Sequence, residues 1–280
     1  MGDILVSLHR LADLLKANYI NEDMAKLLSE SIIKFTASET FQRFRQTKDI
    51  DKLIWELNDI LFAISNDRHL SIYKKSSNPV LIGDGSGLEK ATKNYIKLNK
   101  FGSISSDEVR KIFWEALNKI EEMLIIDLRN CPGGDFDLAY FILCHLYPDG
   151  EPLIEISRRY GDDLILYSKS DFSYYCSYNT IKKFTGEVKV LINSNTASAA
   201  ETTAFVLKNT ARAKIYGCKT QGSNYMTSRW DIDDLVAFIP YAIIKDPRSH
   251  ESFQNNGINP DYSIGSKEYI ELLMNEIVKH

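Results

Sequence analysis

A serine at the junction of a buried strand and a helix is the residue of this chain best placed to do chemistry. The stretch Val188–Ser223 opens with an apolar run, Val188, Val190, Leu191 and Ile192, which reads as a buried strand. A turn of small residues, Asn193–Ala200, leads into a helical pattern from Glu201 through Leu207. After Arg212 a second short strand, Ala213–Tyr216, ends at Gly217. Ser198 lies in the turn, where helix N-terminal amides point back at it and the helix dipole favours developing negative charge. That is a setting for a nucleophile in acyl transfer. A plainer reading stands beside it, because serine and threonine are preferred helix N-caps and Thr196 or Ser198 would serve as one.

Two other places carry residue types that such chemistry uses. Gly133 and Gly134 sit in the strand-to-helix turn Arg129–Asp135, RNCPGGD. Glycines there let backbone N–H groups approach a ligand closely, as an anion cradle or half an oxyanion hole, although most such pairs are only turns. His69 follows a helical pattern, in Ser65–Leu70, where a histidine commonly hydrogen-bonds the last carbonyls.

The elements that must position these residues follow from periodicity. Residues 3–60 read as two or three helices: Ile4, Leu8, Leu11, Leu14 and Leu15 share one face, and Asn21–Asp23 caps a second stripe of Met24, Leu27, Leu28, Ile32 and Ile33. A third pattern, Ile50–Ile64, leads to a short strand, Ser71–Tyr73, and Asn78–Gly87 reads as a seam. Beyond it, Tyr95–Leu98 is a strand, Ser105–Met123 a capped amphipathic helix, Leu124–Leu128 a buried strand and Phe136–Leu146 a helix. Such alternation predicts an α/β core. Glu151–Thr185, rich in tyrosine, reads as strands and a loop. Leu235–Ile239 and Tyr241–Ile244 read as two strands, Asp246–Asp261 as a loop and Ser266–Val278 as a closing helix.

Composition excludes more than it assigns. A formal net charge of −4 over 280 residues gives no reason to expect nucleic-acid binding. No apolar run has the length to span a bilayer, and the first residues lack a signal-peptide pattern, so a cytoplasmic location is expected. Cys131, Cys144, Cys176 and Cys218 are scattered without a CxxC pair or zinc-like histidine spacing. Neither a metal nor an organic cofactor is expected.

Taken in order, several blocks resemble the S41 serine peptidases, the family of C-terminal processing proteases, tricorn protease and the interphotoreceptor retinoid-binding protein repeats. The blocks are Asp67–Leu70 (DRHL), Leu124–Gly134 (LIIDLRNCPGG), Asn195–Glu201 (NTASAAE), Arg212–Gly222 (RAKIYGCKTQG) and Asn256–Asp261 (NGINPD). The retinoid-binding-protein-like branch is the nearest in pattern. The resemblance implies an α/β, crotonase-like core (a β-β-α spiral) over residues 78–280. An N-terminal helical cap would occupy residues 1–77, and no PDZ domain is inserted.

The resemblance further implies that Ser198 is the nucleophile. The lysine that serves as base in the processing proteases falls at Ser223 here, so the base implied is the histidine of the DRHL block, His69. Neutral imidazole suits that role near neutral pH. The Ala199 amide, with that of Gly133 or Gly134, would form the oxyanion hole. In the position of the family's glutamate stands Gln254, whose amide accepts an imidazole N–H but supplies no charge. In a serine triad that exchange costs roughly four orders of magnitude in rate. Glu251 and Asp246, in the same loop, are the carboxylates available to replace it. Arg68 replaces the serine before tricorn's histidine, and Cys131 replaces the asparagine that usually precedes the glycines.

The expected function is a Ser–His serine endopeptidase acting on peptides or C-terminal regions of unfolded proteins, with room for a homo-oligomer. The rival expectation is a module of the same fold that has lost its chemistry and binds a peptide or an apolar ligand.

Overall fold

A computed structural model describes residues 3–75, 87–92, 94–120, 122–171 and 182–263. In chain order the first elements are α1 (Ile4–Asn18), α2 (Glu22–Thr36), α3 (Glu39–Thr47), α4 (Ile50–Ser65) and β1 (Ser71–Lys74). Next come β2 (Leu88–Ala91), β3 (Tyr95–Leu98), α5 (Asp107–Asn118), β4 (Met123–Asp127) and α6 (Phe136–Leu146). β5 (Pro152–Arg158), β6 (Leu164–Tyr167), β7 (Glu187–Ile192), α7 (Ala199–Asn209) and β8 (Ala213–Gly217) follow. The last are β9 (Tyr225–Ile232), β10 (Leu235–Lys245) and β11 (Tyr262–Ser263). The seam at Asn78–Gly87, except Gly87 itself, and the closing helix at Ser266–Val278 lie outside the described residues.

The chain divides into two compact units. One gathers Met1–Leu81, Ile156–Asp163 and Tyr225–Ile243; the other gathers Ile82–Glu155, Leu164–Asn224 and Ile244–His280. The helical region thus shares its unit with two later stretches of chain, so the compact unit is not a continuous run of residues.

In the first unit, each helix starts where a short polar side chain accepts an otherwise unpaired backbone N–H. Asp3, Asn21, Ser38 and Asp49 cap α1 to α4 in that way. Four helices stand where two or three were expected. The addition, α3, buries only Phe41, too narrow a stripe to read from periodicity. Leu8, Leu11, Leu15, Leu28, Ile32, Leu53, Leu57 and Leu61 form the core with Ile72, Ile232 and Leu235. β10 pairs antiparallel with both β1 and β9. The two strands expected around Pro240 are one, because the register shifts between Pro240 and Ala242 and accommodates the proline.

The second unit holds a mixed sheet in the order β11-β8-β7-β4-β3-β2. All its neighbours are parallel except β2 and β3. Its central strands read as unbroken apolar runs, as strands covered on both faces do: Leu124–Ile126 and Val190–Ile192 are wholly buried. The helix expected over Ser105–Met123 stops at Asn118, and Met123 already belongs to β4. Arg212 fastens the far end of the unit, donating to the carbonyls of Leu146, Gly186 and Phe184.

One buried group here makes stability depend on pH. His145 on α6 is 1% exposed and stacks on Phe184. Burial, helped by the Lys183 charge, lowers its pKa from 6.5 to about 4. An unfolded chain therefore takes up this proton first as the medium is acidified. The stability present above pH 6.5 is lost as pH falls toward about 4, by up to about 3 kcal/mol. In urea titrations between pH 7 and pH 4.5, His145→Leu should flatten this decline relative to the unmodified chain. A parallel decline in both proteins would assign the acid sensitivity elsewhere.

Candidate active site

The turn that carries Ser198 is fixed from three sides. Thr196, fully buried, donates to the Leu128 carbonyl at 2.8 Å and accepts the Asn193 N–H at 2.9 Å. The Ala197 N–H reaches the Cys131 carbonyl at 3.0 Å, tying the turn to the glycine loop. On the outside, the Asn130 side-chain oxygen accepts from both Asn193 and Asn195, while the Asn193 oxygen accepts the Asn130 N–H. Thr196 is therefore a brace of the turn, and Ser198 is the residue at the N-cap of α7.

Ser198 is held at φ 54° and ψ −122°. A non-glycine residue kept in so sparse a region costs about 1–3 kcal/mol and persists only where its surroundings over-determine it. Glu201 does most of that holding. Its fully buried carboxylate accepts four hydrogen bonds: from the Ser198 N–H at 3.1 Å, Thr220 Oγ1 at 2.5 Å, Gly222 N–H at 2.6 Å and Ser223 N–H at 2.8 Å. Burial raises its pKa, and the four donors oppose that rise. Thr220 Oγ1 in turn accepts the Ile258 N–H at 2.7 Å, so one carboxylate links three separate stretches of chain.

Of the two glycines, Gly133 is the one at the serine. With φ +91°, it leaves no room for a side chain: a β-carbon there would lie 2.8 Å from both Ser198 Cβ and the Ala199 nitrogen. Gly134 instead packs on the backbone of Phe101, whose oxygen would stand 2.2 Å from an added β-carbon. Ala199 is the first residue of α7, so its N–H has no partner within the helix. The structure thus brings Ser198, Ala199 and Gly133 together. Cys131 is fully buried beside them and its thiol is pushed up to about 12 by burial, so it is a neutral packing group rather than a reactive thiolate.

Ser223 Oγ donates to Gln221 Oε1 at 3.1 Å. Gln254 is engaged within the second unit: Oε1 accepts the Asn224 N–H at 2.7 Å and Nε2 donates to Asn255 Oδ1 at 3.0 Å. Asp246 accepts the Arg248 N–H at 3.0 Å, and the Glu251 carbonyl accepts the Asp246 N–H at 2.9 Å.

His69 belongs to the first unit. α4 ends on Asn66 in the left-handed conformation, and Asp67 then folds back, its Oδ1 accepting the His69 N–H at 2.8 Å. The imidazole Nδ1 stands 4.0 Å from the same carboxylate oxygen. Tyr19 donates to the other oxygen, Oδ2, at 3.0 Å. Burial lowers the His69 pKa from 6.5 to about 4, so the ring is neutral through the physiological range. Asp67 itself is 1% exposed, and burial raises its pKa against the pull of its donors. Sequence reasoning gave it no role. The signal was the Asp-x-His spacing directly after an asparagine, which suits an Asx turn closing on the histidine amide.

Comparison with known proteins bears on the family. Residues 94–264 match the sequence model for Peptidase family S41. A "Probable CtpA-like serine protease" of Staphylococcus epidermidis is 27% identical over 187 residues, which are 66% of this chain and 36% of the relative. The chain therefore spans about a third of the length of the curated relatives it matches. A lipoprotein from Streptococcus agalactiae shares the fold at a TM-score of 0.71, with 18% identity over 96% of this chain and 95% of that one. The tricorn protease overlays at a TM-score of 0.52, with 14% identity over 94% of this chain and 35% of its own. By the extent of the family match, which reaches from β3 to the end of the described residues, this chain belongs to peptidase family S41.

Proposed function

We propose that the chain is a serine peptidase that cleaves peptides or C-terminal regions of unfolded proteins through an acyl-enzyme, with Ser198 as nucleophile and His69 as base. The observation that carries this reading is the strained backbone of Ser198 at the head of α7, with Gly133 and the Ala199 amide against it. Ser198 Oγ would attack the scissile carbonyl carbon while its proton passes to His69. The oxyanion that forms would be taken by the Ala199 N–H, with a second donor from the glycine loop. Collapse of the tetrahedral species breaks the C–N bond, and His69 returns the proton to the leaving amine. Water, activated by the same imidazole, then releases the acyl group. The parallel strands of the second unit support a crotonase-like core. The rival reading, a binding module without chemistry, draws support from Gln254, an amide already occupied by Asn224.

Labelling by a fluorophosphonate separates the two. The expected result is one adduct per chain, mapped by mass spectrometry to Ser198. A folded protein that takes up no label, or takes it up at another residue, would turn the reading to the binding module.

A further inference from the structure

A carboxylate already stands beside His69, supplied from the residue's own turn rather than from the loop that holds Gln254. We propose that Asp67, braced by Tyr19, is the positioning residue of His69: it orients the imidazole and stabilises the imidazolium formed when Ser198 gives up its proton. The inference rests on the reading of His69 as base.

The geometry argues for it in three steps. Asp67 Oδ1 lies 4.0 Å from His69 Nδ1, a gap that a modest rotation of the imidazole closes to hydrogen-bond distance. The carboxylate cannot swing away, because Oδ1 is held by the His69 N–H and Oδ2 by the Tyr19 hydroxyl. Asp67 is almost wholly buried, so water does not screen its charge from the ring. Among the described residues, Tyr225, at the start of β9, is a further titratable group that faces Asp67. Arg68, between the two residues in sequence, turns its guanidinium over the Phe62 ring, 5.8 Å from the centroid, so it is placed for that ring. A transient positive charge on His69 therefore has the Asp67 carboxylate beside it, and the two phenols that face that carboxylate stay neutral. That is the arrangement a general base needs when its protonated form must be favoured only briefly.

The test is a proton NMR titration of the His69 ring, assigned with His69→Gln, in the unmodified chain and in Asp67→Asn. Asparagine keeps an oxygen for the His69 N–H and removes the charge, while its NH2 takes the place of the oxygen that accepts from Tyr19, so that hydroxyl turns to accept instead. The expected result is a His69 midpoint lower by about 1 pH unit in Asp67→Asn, with fluorophosphonate labelling at neutral pH roughly tenfold slower and its acid limb moved the same way. An unchanged midpoint and acid limb in a folded Asp67→Asn protein would overturn the proposal. Should Asp67→Asn fail to fold, Tyr19→Phe serves instead. Removing one donor leaves more charge facing the imidazole and should raise the midpoint by a few tenths of a unit. No rise in folded Tyr19→Phe would equally overturn it. The NMR midpoint does not depend on activity. A chain that is never labelled at Ser198 would sink the peptidase reading and leave the midpoint to decide on Asp67.

Discussion

Ser198→Ala should abolish labelling and peptide hydrolysis, by roughly five to six orders of magnitude in rate where a background can be measured. His69→Ala should slow both by at least about a hundredfold, the least that a positioned general base contributes. The two losses should not add, because nucleophile and base act as one unit. Stability separates lost chemistry from lost fold. Replacing an N-cap serine by alanine costs about 1 kcal/mol. Alanine also keeps the unfavourable positive φ, at 54°. Ser198→Gly relieves that strain, so its unfolding midpoint should lie above that of Ser198→Ala although both are inactive. Urea titration of the pair at pH 7 checks the order. An alanine variant that is more stable than the glycine variant would mean that the turn is not strained, and the nucleophile reading would lose the observation that carries it.

How much of this was legible in the chain follows from what each signal depends on. Elements whose apolar pattern is long and closed by a cap could be placed almost to the residue, as with α6 and α4. Where burial is slight, pattern fails. β9 exposes much of one face and gave no signal, and α3 rests on a single buried phenylalanine. The merger of two strands into β10 was hidden because proline argues against a strand interior, and the register shift that admits it depends on pairing partners far away in sequence.

The site divides in the same way. Ser198, Ala199 and the glycines could be picked out because the strand–turn–helix pattern is local. Which glycine meets the serine was not legible, since it depends on how two loops from different strands pack: Gly133 faces Ser198 and Gly134 faces Phe101. Asp67 does not stand out within its block, because its value comes from burial and from Tyr19, nearly fifty residues earlier. Glu201 reads as an ordinary first-turn acid, favourable near any helix N-terminus. Nothing local indicates that it is wholly buried or that Thr220, Gly222 and Ser223 converge on it.

That convergence leads to the largest expected loss of stability. Glu201→Ala leaves the Ser198, Gly222 and Ser223 N–H groups and the Thr220 hydroxyl without their acceptor, in a place water does not reach. Each unsatisfied buried donor costs about 1–3 kcal/mol, and breaking a buried charged network typically costs about 3–5 kcal/mol in total once the surroundings relax. Glu201→Gln is the more telling variant. Its oxygen can keep the Thr220 and Gly222 bonds, but its NH2 then meets the Ser198 and Ser223 amides, donor against donor. Chemical denaturation at pH 7 should therefore rank the unmodified chain first, glutamine second and alanine last. The glutamine variant, still folded, should label at Ser198 more slowly, because the lost bond is the one that holds the Ser198 backbone. An alanine variant within about 1 kcal/mol of the unmodified chain, labelling at the same rate, would mean that the turn is held by Thr196 and the asparagines alone.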